Sequence, residues 1–95
     1  TNVGDANATL AVGFNFGTTT LTANRTWTLP ASGGLSGGEV IYVKAPADVS
    51  THKITIAKSA SAPTQNIDGL ASIDLETDSA AVSLIYVGSN TWAIF

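Results

Sequence analysis

Apolar and polar residues alternate along much of this chain, with a period of two. Successive side chains of a strand point to opposite faces, so this pattern predicts half-buried β-strands. It is clearest over residues 73–95. There the alternation runs to Val87, Gly88-Ser89-Asn90 interrupts it, and Thr91-Trp92-Ala93-Ile94-Phe95 resumes it. Two alternating runs around a short Gly/Asn turn predict a β-hairpin. A terminal Trp-Ala-Ile-Phe also predicts that the chain end packs against its own sheet or against a neighbouring copy.

The same pattern divides the rest of the chain. Residues 8–16 predict a first strand with Leu10, Val12, Phe14 and Phe16 on one face and Thr9, Ala11, Gly13 and Asn15 on the other. Residues 18–22 form a β-branched run suited to a pleated surface. Ala23-Asn24 reads as a tight turn, after which Trp27 and Leu29 share a face until Pro30 stops the strand. Residues 30–38 (PASGGLSGG) read as a flexible loop. Val40-Ile41-Tyr42-Val43 is apolar on both faces, as in an interior strand. It resembles Leu84-Ile85-Tyr86-Val87, by duplication or by coincidence. Ile54 and Ile56 share a face in residues 52–58, and Asn66-Ile67-Asp68-Gly69 reads as a turn. No segment carries a capped 3.6-residue apolar period. The expectation is one all-β domain over residues 1–95, a small antiparallel β-sandwich or barrel-like fold of about seven or eight short strands.

Composition narrows the functional classes. Ninety-five residues suffice for one domain with a thin core. There is no cysteine, so neither disulfides nor thiolate metal sites are available. There is no methionine either, so Thr1 is not a translation start, and the chain reads as a processed product or an excised domain. The net charge is −3 with only four Lys and Arg. Phosphate neutralisation needs clustered cations, which argues against nucleic acid and against anionic membrane surfaces. No apolar run approaches the roughly 20 residues that membrane insertion requires, and no signal-peptide pattern opens the chain. Charged residues make up 12% of the chain, against about 25% in an ordinary soluble domain. Such a surface is either covered by partners or made polar by Ser, Thr and Asn.

Candidate chemistry is sparse. His52 is the single histidine, with no cysteine or second histidine to complete a metal site or a catalytic pair. Asp74, Glu76 and Asp78 fall on one strand face, but carboxylates roughly 7 Å apart along a strand do not converge on one Ca²⁺. They read as a solvated face or a charged edge. Gly33-Gly34 and Gly37-Gly38 lack the Lys-Ser/Thr and the helix of a phosphate loop. Trp27 and Trp92 are in phase with Leu29 and Ile94, which points to core or interface, although exposed rings would suit sugars. The candidate glycan contacts are therefore Asn24, Arg25, Trp27, Asn90 and Trp92. The candidate oligomer interface is Val40, Tyr42, Tyr86, Trp92, Ile94 and Phe95. No enzyme activity, metal or cofactor is expected.

Three segments carry a resemblance. Leu-Thr-Ala-Asn-Arg-Thr-Trp-Thr-Leu-Pro (21–30), Asp-Gly-Leu-Ala-Ser-Ile-Asp-Leu (68–75) and Ser-Ala-Ala-Val-Ser-Leu-Ile-Tyr-Val-Gly-Ser-Asn-Thr-Trp-Ala-Ile (79–94) resemble recurring segments of bacteriophage fibre and spike proteins. The likeness covers most of residues 18–95 and leaves residues 1–17 unmatched. It implies a virion structural domain, usually a homotrimer among other virion proteins, on the particle surface in the tail or on the head. Such domains bind host-surface glycans, cap trimers or decorate capsids. The resemblance brings no catalytic residues. Spike proteins with glycan-cleaving activity place it in long β-helical regions, which a chain of this length lacks.

Overall fold

A computed structural model describes residues 1–95 as ten strands and one 3₁₀ turn. The chain first winds back and forth between two facing sheets. Strands β1 (Asn2–Val3), β3 (Gly13–Gly17) and β5 (Val40–Lys44) lie side by side and parallel in one sheet. Strands β2 (Ala8–Thr9), β4 (Arg25–Thr28) and β6 (Ile54–Ala57) lie parallel in the other. Residues 2–57 thus make three coils of a small two-sheet solenoid. Strand β7 (Asn66–Ile67) then returns to the first sheet, and β8 (Ser72–Leu75) runs antiparallel on β6. Strand β9 (Ala81–Gly88) runs antiparallel on β5, and β10 (Thr91–Ile94) completes the hairpin and pairs in parallel with β7. The reversal of β8 and β9 ends the coiling.

The expectation of an all-β domain therefore holds, but purely antiparallel pairing does not. Over residues 2–57 the chain crosses to the opposite sheet after each strand and comes back running in its original direction, which makes those neighbours parallel. The antiparallel pairs β6–β8 and β5–β9 come from the reversal that follows β6, and β9–β10 from a turn back within one sheet at Ser89-Asn90. Both residues there have positive φ, 53° and 58°, the conformation of a two-residue hairpin turn. The sheets are open, with orders β1-β3-β5-β9-β10-β7 and β2-β4-β6-β8, so the fold is a sandwich of mixed sheets and not a barrel.

The predicted first strand is split and inverted. It breaks after β2, and β3 turns Asn15 and Gly17 inward while Phe14 is 57% exposed. The reason lies in the facing sheet. A Cβ on Gly17 would stand 3.0 Å from the Trp27 ring and 2.9 Å from Pro46, so only glycine fits there. Asn15 is fully buried yet fully used: its carbonyl accepts the Ala11 N–H at 3.0 Å, and its amide donates to the Ala11 and Gly13 carbonyls at 2.8 and 3.2 Å. Residues 18–22 form a loop and not a strand. It is anchored by buried Leu21, whose N–H donates to Asp48 at 3.0 Å.

The core lies between the sheets. Trp27, Leu29, Ile54 and Ile56 meet Ile41, Val43, Leu84, Tyr86, Ile67 and Trp92, and all of them are buried. The look-alike runs 40–43 and 84–87 become neighbouring strands in opposite phase: Tyr42 faces out and Tyr86 faces in.

Candidate functional site

The outer face of the six-stranded sheet carries the clearest signal for interaction. Register places Phe14 beside Tyr42, Tyr42 beside Ser83, and the Phe95 N–H on the Ser83 carbonyl at 3.1 Å. Serine is small, so the Phe95 ring reaches across it to Tyr42. The rings form a row, with Phe14 and Tyr42 centroids 6.2 Å apart and Tyr42 and Phe95 6.3 Å apart in an edge-on arrangement. Phe16 lies 5.8 Å from Phe14. Val40, Ile85 and Ala93 form the next row, and Val87 extends the face at its end. The exposures of Phe14, Tyr42, Val87 and Phe95 are 57%, 43%, 57% and 64%. Lys44 is the single charged residue among the outward positions of these strands, and its ammonium is held by the Ser79 carbonyl.

The opposite face of the molecule is polar. Thr9 and Thr28 stand side by side on the four-stranded sheet, as do Thr26 and Thr55, and Asp74 follows Thr55. This side holds the ion pairs, Arg25 with Asp5 at 2.8 Å and Lys53 with Asp74 at 3.2 Å. Hydrogen bonding lowers the pKa of three of its carboxylates. The Arg25 guanidinium, then the Thr22 hydroxyl, hold Asp5 down at about 2. The Thr55 hydroxyl and then Lys53 lower Asp74, and Ser50 lowers Asp78. Each carboxylate of the 74/76/78 stripe that forms a bond is thus spent on its own neighbour. No three His, Asp or Glu side chains gather as metal ligands.

The predicted glycan contacts do not form one site. Trp27 and Trp92 have 0% exposure, so neither ring offers a face to a sugar; both pack in the core, as their phase with Leu29 and Ile94 suggested. Arg25 is engaged with Asp5. Asn24 accepts the Lys53 N–H at 3.1 Å and lines an open cleft of about 230 Å³ with Ser50, Thr51, Lys53 and Glu76. Asn90 accepts from the Ser32 hydroxyl at 2.8 Å, beyond the other end of β4. The glycine-rich loop is tied and not free. The Ser36 and Gly37 N–H groups donate to the Glu39 carboxylate at 2.8 and 2.7 Å, which lowers its pKa, and the Gly38 N–H donates to the Tyr86 carbonyl at 2.7 Å.

The predicted interface also divides. Val40, Tyr42 and Phe95 lie on the outer apolar face. Tyr86 and Trp92 lie in the core, their rings 5.3 Å apart. Ile94 pairs with buried Leu84 and so points to the core side, at the sheet's rim. Phe14 and Val87 were missed. For Phe14 the available signal was Gly17, in phase with Asn15: a strand glycine marks a close approach by another group, and so marks the inward face. No protein-family model and no curated protein matches the chain.

Proposed function

We propose that this chain is a non-enzymatic structural domain of a bacteriophage particle, assembled as a homotrimer in a tail fibre or spike that attaches to the host surface. One observation carries the reading: the outer face of the six-stranded sheet is largely aromatic and aliphatic with one charged side chain, Lys44, while both ion pairs sit on the other side. Patches of this kind mark sites of association. The fibre-like segments 21–30, 68–75 and 79–94 supply the assignment to a virion. A glycan-binding module is the weaker reading, because both tryptophans are buried. Light scattering on the purified chain tests the assembly. The expected mass is three times the 9.7 kDa of one chain, and a 9.7 kDa species at tens of micromolar would contradict it. Labelled antibody on phage particles tests the location. Decoration of fibre tips supports the tail assignment, and decoration of the capsid lattice would move the domain to the head.

A further inference from the structure

We infer that the three copies of this chain converge on a common axis through the Phe14–Tyr42–Phe95 row and the Val40–Ile85–Ala93 row beside it. The inference rests on the homotrimeric reading above and assigns its contact surface. Two observations choose a sister copy as the occupant.

The first is charge. Each copy carries −3, so copies brought together through their polar sides would oppose like charge. Asp5, Asp48, Asp74, Glu76 and Asp78 all belong to the four-stranded sheet or to the loops around it. The other two acids adjoin the six-stranded sheet, Glu39 bonded to the 36–37 loop and Asp68 to the Ile94 N–H at the β7–β10 edge, and the outward positions of β3, β5, β9 and β10 carry only Lys44, at one end. That outer face is the surface on which acidic copies can approach with the least like-charge repulsion, and the Lys44 ammonium at its end already has the Ser79 carbonyl as a partner.

The second is area. A buried aromatic residue contributes about 150–250 Å², so Phe14, Tyr42 and Phe95 at roughly half exposure present about 300 Å². Val87, Val40, Ile85 and Ala93 extend the patch toward the roughly 800 Å² per partner of a stable interface. The rings are also well suited as anchors. Phe14 and Tyr42 sit on paired strands of a sheet, so little backbone freedom is lost when they are covered.

The substitutions that test this are gentle to the fold, because the side chains already stand in water in the single chain. The double variant Phe14→Glu/Tyr42→Glu is expected to keep its β-sheet circular dichroism while its mass by light scattering falls threefold. In parallel, Val87→Cys and Thr26→Cys give single-thiol chains, since the protein has no cysteine. Maleimide labelling of Val87→Cys is expected to slow at least tenfold between dilute and concentrated protein. Labelling of Thr26→Cys, on the polar face, is expected to keep one rate. If the double variant stays at the wild-type mass and Val87→Cys labels at one rate, another face joins the copies; this inference is then overturned and the trimer stands. If the wild-type chain is itself a monomer at every concentration, the trimer reading falls and takes this inference with it.

Discussion

At Asn15 a single side chain closes a backbone corner that the solenoid needs. Its amide, itself fully buried, serves three main-chain groups of Ala11 and Gly13. Asn15→Ala would remove all three bonds, and each typical intramolecular hydrogen bond contributes about 0.5–1.5 kcal/mol net. A loss of at least about 2 kcal/mol in urea unfolding is expected. Two glycines give a matched contrast. Gly17 needs space: its added methyl would meet Trp27 and Pro46, so Gly17→Ala should cost about 1–3 kcal/mol through overpacking. Gly88 needs conformation: φ is +85° with nothing near its Cβ, so Gly88→Ala should cost about 1–2 kcal/mol through the left-handed backbone alone. Thermal melts of both, with a Gly17→Ala/Trp27→Phe double variant that frees room at Gly17 only, separate the two causes. The Trp27 and Trp92 cores were legible from their phase with Leu29 and Ile94. Asn15 was not, because a period-two pattern says which residues share a face and leaves open which face is inside.

Among the elements, the β9–β10 hairpin was readable from sequence because everything that makes it is local: alternation, a Gly-Ser-Asn break, alternation again. The parallel coils were unreadable because parallel and antiparallel strands show the same side-chain alternation. Pairing direction depends on where the connections cross, and no local signal encodes that. Those connections are held by carboxylates. Asp5, between β1 and β2, accepts from Arg25 at the start of β4 and from the Thr22 hydroxyl at 2.7 Å, joining the first coil to the second. Its folded pKa of about 2 lies below its ordinary 3.8. The stabilisation is therefore complete above about pH 4 and is lost as pH falls toward 2. Glu39, Asp74 and Asp78 are shifted the same way, so the melting temperature should drop through this window. Asp5→Asn should melt lower than wild type at pH 7 and show a shallower decline between pH 4 and pH 2, as followed by circular dichroism.

For the whole molecule the governing feature is its two-sidedness. The 12% charged content left a surface either covered by partners or made polar by Ser, Thr and Asn, and the fold shows where the charge-poor part lies. That location was hidden because Phe14 and Val87 gain meaning only once β3, β5 and β9 are neighbours in one sheet. A chain that folds and assembles together is stabilised by mass action, so its melting temperature depends on concentration. Thermal melts across a hundredfold range of chain concentration put the account to its most direct test. A midpoint that climbs by several degrees with concentration, and stays flat in Phe14→Glu/Tyr42→Glu, is the predicted result. A wild-type midpoint that does not move would contradict it.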